Sequence, residues 1–131
     1  HYDKFDWQHP TAARRSIYRV VWRGIADPFM ESLDFPDLGL LAPKRDLSVS
    51  ALQALATFNN NFVLYHSQHL ATQLQASHET IGDQVNQACR LVFLRESGKE
   101  ERALLVAYTM QHGLAAMCRV LFNSNEFIFV D

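Results

Sequence analysis

From Ser48 onward, apolar residues recur at steps of three and four, the spacing that gathers side chains on one face of an α-helix. Ser48 or Ser50 stands where a cap would open a helix running to about Gln75, with Leu52, Leu55, Ala56, Phe62, Val63, Leu70 and Leu74 as its stripe. A second helix is expected from Thr80 to Arg95, burying Ile81, Val85, Ala88, Cys89 and Val92. The tetrad Ser97-Gly-Lys-Glu100 has the capping-box pattern, in which serine and glutamate satisfy each other's free backbone donors. It predicts a third helix through Ala103, Leu104, Ala107, Tyr108 and Gln111. Gly113 should break or bend that helix, and Leu114, Met117, Cys118 and Leu121 carry a fourth stripe to Asn123. The apolar tail from Glu126 to Val130 is expected to pack as an extended segment.

Residues 1 to 47 have a different texture. They hold all four prolines, Pro10, Pro28, Pro36 and Pro43. Proline fixes its own φ, lacks a backbone donor and pushes the preceding residue out of the helical region, so irregular chain is expected here. The run Ser16 to Arg23 is rich in β-branched and aromatic residues, and its length leaves open a strand or a short buried helix. A one-turn helix is predicted from Pro28 to Leu33, with Asp27 as its cap and Pro28 in the first helical position. The fold class expected is therefore mainly α: about four helices with an irregular, proline-containing N-terminal segment packed on them, in one domain spanning 1–131.

Composition narrows the function classes. Twelve Lys plus Arg against fourteen Asp plus Glu give a net charge of -2, without the concentrated basic excess of a nucleic-acid binder. The apolar stretch Leu114 to Phe122 is interrupted by Cys118 and Arg119 and is far short of the ~20 residues that span a bilayer, so membrane insertion is not expected. No basic-then-apolar leader is read at His1, and the chain reads as a piece of something longer. Cys89 and Cys118 form no C-x-x-C or C-x-x-C-H spacing, which excludes haem attachment within this chain.

Several phrases resemble a large bacterial family, the domain-of-unknown-function fifteen-fifty-three or PSD-one family. They are His9-Pro-Thr11, Arg14-Arg-Ser-Ile-Tyr-Arg19, Asp27-Pro-Phe-Met30, Leu33-Asp-Phe-Pro-Asp37, Pro43-Lys-Arg45, Ala51-Leu-Gln-Ala-Leu55 and Asn59-Asn-Asn-Phe-Val63. Further on come Gly113-Leu-Ala-Ala-Met-Cys-Arg-Val-Leu121 and Asn123-Ser-Asn-Glu-Phe127. The resemblance implies the C-terminal part of a planctomycete-type, periplasmic or secreted multidomain protein found beside cytochrome-c-like domains. It implies partners among the other domains of the parent chain, and haem, if any, in an upstream domain. It supplies no catalytic residue and no ligand. In an exported protein a Cys89–Cys118 disulfide is permitted, and two buried free thiols fit the sequence equally well.

The candidate chemistry is sparse. His66 and His69 lie one turn apart, a spacing that lets two imidazoles face one metal, but a third ligand such as His78, Glu79 or Asp83 would be needed. Packing beside Phe62, Val63 and Leu70 is the favoured reading of this pair, and no metal ligand is assigned. No G-x-S-x-G elbow surrounds any serine, so Ser16, His9 and Asp34 do not compose a recognisable nucleophile set. No catalytic residue is assigned either. Arg14, Arg15, Arg19, Arg23 and Arg45 gather positive charge in the first half. They suit an anion site, or a structural role tying the irregular segment to Asp34, Asp37 or Glu126; the second is preferred. A buried contact of that kind at Arg15 or Arg45 would cost about 3 kcal/mol to lose. Asn59, Asn60 and Asn61 interrupt a helical pattern, and Asn123, Ser124 and Asn125 follow the last helix. Loop anchoring is the expected role of both clusters, with a polar pocket between them as the alternative. The overall reading is a non-catalytic structural or interaction module. The alternative is a ligand-binding or catalytic portion of an exported redox or polysaccharide-related enzyme, its site shared with other domains and marked by convergence of Arg15, Asp34 and Asn59.

Overall fold

The computed structural model describes Asp6, residues 8–18, Ile25, residues 27–35 and residues 51–129; among them regular structure is entirely helical. Arg19, Arg23, Asp37, Arg45, Ser48 and Ser50, with the expectations placed on them, lie outside the described residues. The chain divides into two compact units, His1–Asn60 and Asn61–Asp131.

In the first unit, Pro10–Ala13 and Ser16–Tyr18 form 3₁₀ turns. The start of the Ser16 run is thus neither a strand nor an α-helix. The His9 imidazole caps the first turn, its Nδ1 accepting from the Thr11 backbone N–H at 3.3 Å. Helix α1 spans Pro28–Ser32, and the Asp27 carboxylate accepts from the Phe29 N–H at 3.0 Å, as the sequence predicts. Its end is a Schellman motif, with the Phe35 N–H reaching the Met30 carbonyl and the Asp34 N–H reaching Glu31. Asp34 holds the left-handed position of that motif at φ 57°. Helix α2 spans Ala51–Asn59 and packs against α1.

The second unit contains α3 (Asn61–Ser77), α4 (Ile81–Phe93), α5 (Lys99–His112), α6 (Leu114–Phe122) and α7 (Asn125–Ile128). The mainly α expectation holds, but the helix expected to run unbroken to Gln75 is split at Asn60. Three consecutive asparagines explain the split. Their short amides compete with the helix for backbone groups: Asn59 Nδ2 donates to the Leu55 carbonyl at 3.1 Å. The tail is the second difference. Residues 125–128 close a helical turn in place of the extended segment, and only Phe129 is extended.

The core of this unit is formed by Ala71, Leu74, Val85, Ala88, Cys89, Leu114, Met117, Cys118 and Leu121, drawn from α3, α4 and α6. These include the whole stripe expected on α6 and Val85, Ala88 and Cys89 of that on α4, with Ile81 and Val92 partly buried against them. On α2 and α5 most of the expected face is turned outward, although Tyr108 packs against the core. Leu52 and Leu55 are exposed, while Gln53 and Thr57 are buried. On α5, Ala103, Leu104, Ala107 and Gln111 point outward and Thr109 is buried. Buried hydroxyls are tolerated because each bonds back to the preceding turn. Thr57 donates to Gln53 at 2.9 Å, Ser67 to Val63 at 2.6 Å and Thr109 to Leu105 at 2.7 Å. Among the described residues, no helix is long and apolar enough to cross a membrane.

Candidate functional site

Among the described residues of the second unit, Arg95 is densely hydrogen-bonded, and no motif or spacing in the sequence marks it out. α4 ends at Leu94, a non-glycine residue in the left-handed region at φ 59°. That turn sends the next side chain back toward α5 and α7. The guanidinium then makes five hydrogen bonds, as many as it has N–H groups. Nε and Nη2 donate to the two oxygens of Glu126 at 2.6 and 2.7 Å. Nη1 and Nη2 donate to Glu101 at 2.8 and 3.0 Å, and Nη1 also reaches the Glu96 carbonyl at 3.1 Å. Its Cζ lies 5.3 Å from the Phe93 ring centroid. Hydrogen bonding to Arg95 holds the Glu126 and Glu101 carboxyls below the usual carboxylate range. All three side chains remain partly open to solvent.

Glu101 is engaged on its other side as well. Its Oε2 accepts from the Gly98 N–H at 3.1 Å, so the acidic half of a capping box is present one residue later than the sequence predicts. Ser97 is displaced from the cap because its hydroxyl and N–H are both directed at Asn86 Oδ1, at 3.1 and 3.3 Å. Beside Arg95 runs a groove of about 630 Å³, walled on one side by Val92, Phe93 and Leu94 and on the other by Asn125, Glu126, Phe127 and Phe129. Apart from Asn125 and Glu126 this lining is hydrocarbon.

The described residues singled out from the sequence fall in both units, and each has a local environment of its own. Arg14 and Arg15 are exposed. Glu126, considered as a partner for the N-terminal arginines, pairs with Arg95. Asp34 serves a backbone turn, and His9 a cap. Asn59 is an exposed helical residue bonded to its own turn, and Asn60 donates its backbone N–H to Ala56 at 2.9 Å. Both belong to the first unit. Asn123 and Asn125 belong to the second: Asn123 ends α6, and the Asn125 carbonyl accepts from Phe129 at 2.9 Å. Only Asn125 of the set lines the groove.

His66 packs against the Phe62 ring edge, with centroids 4.4 Å apart, as the packed reading of that histidine expects. Burial, and then the nearby His69, push its pKa below the ordinary histidine value. His78 is engaged through Nδ1 with Ser77 Oγ at 2.9 Å, and Asp83 with Thr80 and Arg102. Among the described residues, no group of three or more His, Cys, Asp or Glu is arranged to hold a metal. Of the two states left open for the cysteines, the structure has the free thiols, both buried. Burial pushes the Cys89 thiol up and that of Cys118 up to about 12, which favours the protonated thiol over the thiolate.

No curated protein and no solved structure matches the chain. A family model does, over residues 2–109, and its description is PSD1, protein of unknown function (DUF1553). The match takes in the N-terminal phrases through Asn59-Asn-Asn-Phe-Val63 and the helical middle, and stops before Gly113-Leu-Ala-Ala-Met-Cys-Arg-Val-Leu121. With most of its length matched in this way, the chain belongs to the PSD1 (DUF1553) family of proteins of unknown function.

Proposed function

We propose that this chain is a non-catalytic interaction module in a planctomycete-type, periplasmic or secreted multidomain protein associated with c-type cytochrome domains. Any haem would then reside in another domain of the parent. The surface proposed to meet that parent is the outer face of α5. One observation carries this reading: Leu104 and Met110 are 72% and 73% exposed on the same helix, with Ala103 and Ala107 exposed between them. A surface helix of an independent domain ordinarily carries polar residues there, whereas every exposed residue of α5 between Glu100 and Gln111 is apolar. Covering Leu104 and Met110 would contribute about 1.5–3 kcal/mol each.

The test is Leu104→Glu combined with Met110→Glu, made in the full-length parent and in this chain. Loss of domain association in the parent, with an unchanged melting temperature for the chain alone, is the expected result. Unchanged association would refute the reading. A second reading, a ligand-binding or catalytic portion of an exported redox or polysaccharide-related enzyme, is supported by the apolar groove beside Arg95, where Asn125 and Glu126 would orient a ligand.

A further inference from the structure

Helix α7 is poorly anchored for an element that forms one wall of a groove. It has four residues, none of them buried, and no side chain caps its N-terminus. The Ser124 hydroxyl, which stands at the cap position, donates back to the Leu121 carbonyl at 2.7 Å. A single helical turn has no stability of its own, because nucleation fixes several residues for one hydrogen bond. What holds α7 is therefore tertiary: it packs on α4 and α6, its Phe127 ring lies 5.3 Å from Phe122, and Glu126 is gripped by Arg95. The ring contact keeps Phe127 only partly covered, at 44% exposure.

The Arg95–Glu126 pair stands at the rim of the groove. Arg95 follows directly on Leu94 at the end of one wall, and Glu126 belongs to the other. Arg95 does not depend on Glu126 for its position, since Glu101 and the Glu96 carbonyl hold it from the α5 side. The arrangement is asymmetric: a fixed guanidinium on the bundle and a carboxylate on a weakly held turn. We propose that α7 is a strap clasped by Arg95, and that it releases from the bundle as a unit, uncovering the apolar end of α4, when the Arg95–Glu126 pair is broken. Asn123 and Ser124, whose N–H groups close the last turn of α6 and which separate it from α7, are the hinge.

Amide hydrogen exchange on this chain tests the clasp. The N–H groups of Phe127, Ile128 and Phe129, bonded to Ser124 and Asn125, report the strap, and those of Met117 and Cys118 report the bundle. Glu126→Gln, which keeps shape and removes the charge-assisted pair, should speed exchange at the three strap amides about tenfold and leave α6 unchanged. Unaltered strap exchange in the variant would overturn the proposal. So would an equal rise in α6, which makes α7 part of the cooperative bundle, or strap amides already unprotected in the wild type. If the variant fails to fold, Glu126→Asp, which keeps the charge and shortens its reach to Arg95, decides between the same outcomes.

Discussion

Leu94 is the residue where local cost and local use are most plainly joined. A leucine at φ 59° bears the clash that left-handed backbone imposes on any side chain with a Cβ. Its own side chain recovers little, being 89% exposed. The conformation ends α4 abruptly and delivers Arg95 to Glu101 and Glu126. Replacing Leu94 by glycine should keep that turn and raise stability by about 0.5 kcal/mol, the strain relieved less the added freedom of the unfolded chain. Thermal melting reads it, and a lowered midpoint would show that the leucine side chain packs. His66 supplies a pH dependence of fixed sign. Its folded-state pKa is depressed by burial, so below the unfolded value near 6.5 the unfolded chain binds more protons. Stability should therefore fall as pH drops through about 6.5 and stop falling once the folded form also protonates. His66→Phe should flatten that part of the profile in urea titrations between about pH 7.5 and 5. An unchanged slope would place the titration elsewhere.

At the scale of elements, α4 and α6 were legible in the sequence because their apolar residues occupy one face and the opposite face is polar or small. α5 was not. Ala103, Leu104, Leu105, Val106, Ala107, Tyr108 and Met110 run nearly without interruption, so hydrophobicity alone cannot choose which side turns inward. The side that does so contains Thr109, a residue a hydrophobicity count passes over. Thr57 and Ser67 hide the inner faces of α2 and α3 in the same way, each neutralised by a carbonyl one turn back. The Arg95 cluster was invisible for a different reason: Arg95 and Glu126 lie 31 residues apart, and no local spacing announces the pair. The face assignment has its own check. Leu104→Gln should change the stability of this chain by about 0.5 kcal/mol or less, while Met117→Ala, at a fully buried site, should cost about 3 kcal/mol. Comparable losses from the two would mean that α5 is turned the other way.

At the scale of the molecule, several chemistry-bearing side chains among the described residues are committed to structure. Among the described residues, His9 caps a turn, His66 stacks, the thiols are buried and free, and Asp34 shapes a turn. What stands out is an apolar surface on α5 together with a groove whose wall is a single helical turn. That combination supports the proposed reading of a part that receives another surface, which is the central claim. Hydroxyl-radical footprinting of Met110 tests it most directly, because sulfur oxidation follows solvent exposure. With Met110 73% exposed, the isolated chain should oxidise at this residue rapidly. In the full-length parent the same residue should be protected about tenfold, while the exposed Leu94 remains equally reactive in both. Equal oxidation of Met110 in the chain and in the parent would contradict the account.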